Sequence, residues 1–196
     1  MRSDVARVLQ NTEEREAARD IVRKKYEEQG YDVSSGGIAQ YLDTPHATIF
    51  GIFYEDTLYG TISLVRDSTD GLPMDSLYSN ELSLWRSQER KIAEVVQFAV
   101  DHDRYTALAG KEPSPFIAAP LLRKVFSYAQ EEHIEYLCIS INPKHDQFYS
   151  MLGFKQIGAL KHYPSVNAPA IARALSVADA EKNPFLTTFF GKERED

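Results

Sequence analysis

Two stretches constrain this chain more than any others: Lys91–Val100, KIAEVVQFAV, and Tyr136–Asn142, YLCISIN. Both are nearly continuous runs of β-formers, and a helical pattern separates them. Strands without a polar face are buried on both sides, and two of them joined through a helix form a βαβ unit. The two strands are therefore expected to lie parallel within one sheet. One residue is out of place. Strand side chains alternate faces, so Ile92, Glu94, Val96, Phe98 and Val100 should share one face, with a carboxylate among four apolar neighbours.

The remaining segments arrange themselves around this unit. Asn11 followed by Glu14 makes a helix cap, and Ala17, Ala18, Ile21, Val22 and Tyr26 recur at helical spacing until Gly30. Residues 31–46 read as loop. ATIFGIFYE and TLYGTISLV meet around Glu55-Asp56 as an antiparallel hairpin. RDSTDGLPMDSLY (66–78) is rich in turn formers, and NELSLWRSQ (80–88) reads as a short helix. After Val100 comes a polar connection, DHDRYTALAGKEPSP, then a helix running to about His133 with Leu121, Leu122, Val125, Phe126 and Ala129 as its stripe. Ser114-Pro115 makes a good cap and first turn, whereas Pro120 either kinks this helix or marks its start. KHDQFYSML is a short helix ending at Gly153, and FKQIGALKHY and APAIARALSV are a closing pair of strands. In the tail, Phe185, Leu186, Phe189 and Phe190 suit a docked helix, a cover over a site or a homodimer contact.

These segments define an α/β fold, a mixed sheet with helices on both faces. At 196 residues the chain fits one domain: an N-terminal helix and loop (1–46), a core (47–177) and a helical tail (178–196). A net charge of −7 argues against a general binder of nucleic acid or membrane surfaces. The one cysteine, Cys138, lies in an apolar run as a small buried hydrophobe and suits a reducing cytoplasm. The N-terminus lacks the apolar core of a signal peptide, and no run approaches the ~20 apolar residues that cross a bilayer. The five histidines form no close pair and no cluster with Cys138, so no metal is expected.

The strand–Asn–helix–Tyr–Gly-Phe layout of ISINPKHDQFYSMLGFKQIG resembles the GCN5-related N-acetyltransferase superfamily. More narrowly, LVRDSTDGLPMDSLY, RKIAEVVQFAV and NAPAIARAL resemble the long-chain N-acyl amino acid synthases, relatives of the acyl-homoserine-lactone synthases; the likeness spans about residues 47–177. The resemblance implies an N-acyltransferase without a permanent cofactor, its co-substrate an acyl-phosphopantetheine thioester. It aligns Glu94 with the synthases' glutamate as base and Tyr149 with the superfamily's thiolate-protonating tyrosine. It places the donor's pantetheine arm along the backbone of Phe98, Ala99, Val100 and Asn142, and the acceptor beside Arg66 and Asp67.

One departure bears on the donor. Acetyl-CoA users carry a glycine-rich turn after the central strand, whose N–H groups hold the pyrophosphate. Here that segment, DRYTALAGKEPSPFIAAP, has one glycine and two of its prolines before the helix stripe, a poor cradle. Acyl carrier protein, whose arm has a single phosphate, is the donor this favours; acyl-CoA stays the alternative, as does a non-catalytic binding module. An acidic carrier protein would need a local cationic patch, for which Arg86, Arg90, Lys91, Lys111, Arg123 and Lys124 are candidates.

Residue chemistry supports these roles without fixing them. A carboxylate desolvated among apolar groups has a raised pKa and is a competent base for an ammonium near pKa 8. The other reading of Glu94 is a strand-end glutamate reaching solvent or Lys91. Tyr149 sits near the carboxyl end of a covered strand, where ligands bind in such sheets, yet Phe148 beside it also suits a packed aromatic. Arg66 can grip a carboxylate and Asp67 an ammonium; Asp67 and Asp70 equally make Asx turns. Phe116, Ile117, Leu121, Leu122 and Phe126 serve an acyl tunnel or the core alike.

Overall fold

The computed structural model describes residues 4–33, 44–183 and 186. The chain opens with strand β1 (Val5–Val8), helix α1 (Thr12–Glu28) and the hairpin β2 (Ala47–Tyr54) and β3 (Thr57–Arg66). Helix α2 (Asp75–Ser87) and the central strand β4 (Ile92–Val100) follow. Then come α3 (His102–Ala109), α4 (Ala119–Glu131), β5 (Tyr136–Ile141), a 3-10 turn (Pro143–His145) and α5 (Asp146–Met151). The chain closes with β6 (Lys155–Gln156), β7 (Lys161–Tyr163), β8 (Ala168–Ser176) and the turn α6 (Val177–Ala180). The sheet order is β1-β2-β3-β4-β5-β8-β6, with β7 on β8.

The expected framework is present. Asn11 caps α1 by accepting from the Glu14 N–H at 2.9 Å, the hairpin is antiparallel, and β4 and β5 are parallel. Pro120 lies in the first turn of α4 and so marks its start, where its missing N–H costs nothing. Helices cover both faces. On one, α4 sets Leu121, Leu122, Val125 and Ala129 against Phe50, Ile62, Leu137 and Ile139. On the other, α1 packs Ala18, Ile21 and Val22 on Ile49, Phe53 and Ala99, while Met74, Tyr78 and Leu82 pack with Val65, Ile92 and Cys138.

Three local features differ from expectation. VARV pairs with β2 as an edge strand, its four residues too short to show a period. The polar stretch after Val100 holds α3, capped by Asp101, whose carboxylate accepts from the Arg104 N–H at 3.1 Å. Third, β4 does not alternate throughout. Thr61 pairs with Ala99 but Ser63 with Val96, so β4 carries one extra residue, and Gln97 takes φ 54°. A bulge of this kind swaps the faces of everything beyond it. Ile92 and Val96 accordingly pack on the α2 side, whereas Phe98 and Val100 pack on the α4 side. The tail expected at 178–196 lies mostly outside the described residues; of it, Leu186 is buried in the α4-side core.

Candidate active site

The bulged strand also stops pairing with its parallel neighbour. β4 and β5 run side by side only through Ile92–Glu94 and Tyr136–Cys138. Beyond that they splay, and a cavity of about 300 Å³ opens between residues 95–100 and 139–142. Tyr26 at the end of α1, Gln29 and Tyr31 just beyond it, Tyr149, Tyr163 and residues 168–170 of β8 also line it. Lys144 ties the rim together: its Nζ donates to Gln29 Oε1 at 2.5 Å and lies 5.0 Å from the centre of the Tyr31 ring.

Glu94 sits where the splay begins. It is 1% exposed and lines the cavity, so it neither reaches solvent nor pairs with Lys91. Its Oε2 accepts from the Met74 N–H at 2.8 Å. Burial, helped by the Asp75 charge and opposed by that N–H, pushes its pKa up to about 8. Tyr149 lines the same cavity from α5, half-buried, its ring edge-on to Phe148 and Phe154 at 5.1 and 5.7 Å. Burial pushes its phenol up to about 12. Tyr149 packs against the α4-side core, whereas Glu94 bonds to Met74 of the α2-side core. The gap in the sheet thus brings a carboxyl group and a phenol from opposite faces to one cavity.

Phe98, Ala99, Val100 and Asn142 all line this cavity. Residues 95–100 carry no β5 partner among the described strands, so that edge of β4 offers main-chain groups to an extended ligand. The Asn142 side chain is occupied, accepting from the Lys144 N–H at 3.1 Å.

Arg66 and Asp67 are placed elsewhere. Neither lines the cavity. Arg66 pairs with Glu132 at 3.0 Å, and Asp67 takes Arg86 through Nε and Nη2 at 2.8 and 2.6 Å. Arg86 also grips Asp75 at 2.6 and 2.7 Å, and Asp75 accepts the Leu72 N–H at 2.6 Å. Arg86 is therefore a clamp on the 67–75 loop, not a docking cation. Arg90 is likewise paired, with Glu135 at 2.7 Å. Replacing Arg86 by alanine strands two carboxylates that are only 17% and 22% exposed. The expected cost is about 3 kcal/mol of unfolding free energy, read by denaturant titration.

Sequence reasoning missed Tyr26, Tyr31, Tyr163 and the Met74 N–H. Tyr26 belongs to the apolar stripe of α1, and nothing in that spacing separates a core aromatic from a cavity wall. A main-chain donor leaves no signature at all. Among the described residues no group of three or more His, Cys, Asp or Glu side chains could hold a metal, and no helix is long and apolar enough to cross a membrane.

A cleft between splayed central strands, with a buried glutamate and a tyrosine facing it, defines an acyltransferase of the GCN5-related N-acetyltransferase fold. Solved structures agree. An N-acetyltransferase from Staphylococcus aureus Mu50 superposes with a TM-score of 0.60 at 15% identity, covering 90% of this chain and 99% of that one. The acyl-homoserine-lactone synthase LasI gives 0.66 at 11% identity, covering 99% and 100%. FeeM, an N-acyl amino acid synthase from uncultured soil microbes, gives 0.90 at 57% identity, covering 96% and 100%. The family model for N-acyl amino acid synthase FeeM matches residues 17–176. The chain belongs to this family and is an acyltransferase. No curated protein matches it.

Proposed function

We propose that this enzyme moves an acyl group, long-chain by the family resemblance, from the thioester of acyl carrier protein to the amine of an amino acid or similar small acceptor. The reading rests on one observation: Glu94 and Tyr149 line the same cleft from opposite faces of the sheet. The free amine attacks the thioester carbonyl, a C–N bond forms, and the amine proton passes to Glu94. The C–S bond then breaks, and the departing thiolate takes the phenolic proton of Tyr149. Exchange with solvent moves the proton from Glu94 back to the phenolate, leaving an amide and a thiol. A base near 8 matches an α-ammonium of pKa about 8, so the transfer between them is close to thermoneutral.

The carrier-protein donor is supported at the end of β4. There α3 starts at once, and its Arg104 N–H is capped by Asp101, which is 2% exposed and paired with Lys24 at 2.9 Å. Lys24 and the Arg104 N–H outweigh burial and hold Asp101 below the usual carboxylate range. An anionic cap where the superfamily binds pyrophosphate disfavours CoA. BjaI, a CoA-dependent acyl-homoserine lactone synthase, shares the fold at 13% identity, so both donors belong in one experiment. Acylated carrier protein and the matching acyl-CoA are each offered with a pool of amino acids, and products are read by mass spectrometry. Amide should form from the carrier protein at least tenfold faster, on the order of one or two kcal/mol of donor discrimination. No amide above the Glu94→Gln background from either donor overturns the enzymatic reading; equal rates overturn the donor assignment.

A further inference from the structure

Strand β8 carries one charge in an apolar run, as β4 does. Arg173 lies between Ile171 and Leu175 on the α4 side of the sheet and is 8% exposed. Its guanidinium is fully engaged in one direction. Nε donates to Asp146 Oδ1 at 2.6 Å, Nη2 lies 2.6 Å from the same oxygen, and Nη1 donates to the Phe154 carbonyl at 2.7 Å. Asp146 is the first residue of α5, and Phe154 follows its last turn. Tyr149 stands between them. Its carbonyl accepts the Phe154 N–H at 3.0 Å, and its ring meets the Phe154 ring edge-on.

A helix of six residues does not hold its own geometry in water. Here one rigid fork, anchored on a sheet strand, grips the first residue of that helix and, beyond its end, the carbonyl of Phe154, the aromatic neighbour of the cavity tyrosine. A salt bridge placed only for stability has no need to reach the Phe154 carbonyl as well. We propose that Arg173 is a positioning residue that fixes the Tyr149 phenol against the leaving sulfur of the donor. This inference rests on Tyr149 being the acid that protonates the thiolate.

The test varies the leaving group. Arg173→Lys keeps the charge but has no fork to span Asp146 and Phe154. With an acyl-pantetheine thioester its kcat should fall about tenfold while KM stays within about twofold, because an acid is displaced and a binding wall is not. With an acyl thioester of an aromatic thiol, whose thiolate leaves without a proton, the loss should shrink to about twofold or less. Tyr149→Phe should show the same dependence on the leaving group, and the double variant should be no worse than Tyr149→Phe alone. Asp146→Asn, at a residue half open to solvent, should show a smaller loss of the same kind. It keeps the test informative if Arg173→Lys melts at the assay temperature. Equal losses on both donors, or undiminished kcat in Arg173→Lys and Asp146→Asn, overturn the positioning role. Full activity of Tyr149→Phe instead overturns the acid role, and the positioning role falls with it.

Discussion

Glu94→Gln should reduce kcat by about 10²–10⁴-fold, the usual contribution of a positioned general base, with little change in KM. The amide is isosteric, and its oxygen can still accept the Met74 N–H, so the cleft keeps its shape. What disappears is the ability to take a proton from the attacking amine. In the wild-type enzyme kcat/KM should rise with pH and level off above about 8, because the carboxyl must be ionised to act. The same pH brings an α-amino acceptor to its free form, so acceptors with lower amine pKa values are needed to separate the two ionisations. With such an acceptor the wild-type limb stays near 8, whereas in Glu94→Gln it vanishes. Retention of more than about a third of kcat in Glu94→Gln would falsify the base assignment.

The second large effect appears in stability. Folding raises the Glu94 pKa from 4.5 to about 8, and burial is the main cause. An unfolded chain therefore releases this proton near 4.5 while the folded chain holds it. Between those values the unfolded state binds fewer protons, so the free energy of unfolding falls as pH rises, by about 5 kcal/mol in full. Carboxylates held below their ordinary range, such as Asp75 and Asp101, act in the opposite sense at lower pH. The comparison must therefore be a difference between wild type and Glu94→Gln in denaturant titrations at several pH values. The glutamine variant should gain on the wild type steadily from pH 4.5 to 8, and the gain should then plateau. Parallel stability curves across that range would show that Glu94 is not the buried acid described above.

Much of the fold was legible because its signals are local. The Asn11 cap, the two β-rich runs of the hairpin and the unbroken apolar runs of β4 and β5 each report a backbone preference that tertiary packing then reinforces. The Glu94 anomaly was legible for the same reason, since a lone carboxylate in an apolar strand is a local contradiction. The bulge was not. Glutamine has no preference for a positive φ, and the extra residue is visible only against the β3 register. Helix α3 was hidden by its polarity, with only Tyr105 buried among its eight residues. Arg66 and Asp67 stood out because their chemistry suits an amino acid, and sequence does not show that they pair with Glu132 and Arg86.

The bulge at Gln97 turns the side chains of β4 over between its two halves. Before it, Ile92, Glu94 and Val96 answer to the α2 side; after it, Phe98 and Val100 answer to the α4 side and Ala99 to α1. A change of side-chain volume at Phe98 or Val100 is thus felt first in the α4-side layer, whereas the Glu94 carboxylate is held by Met74 on the α2 side. The acidity of Glu94 and the shape of the far end of the cleft draw on different layers of the molecule, which gives evolution or an engineer two places at which to adjust one cleft.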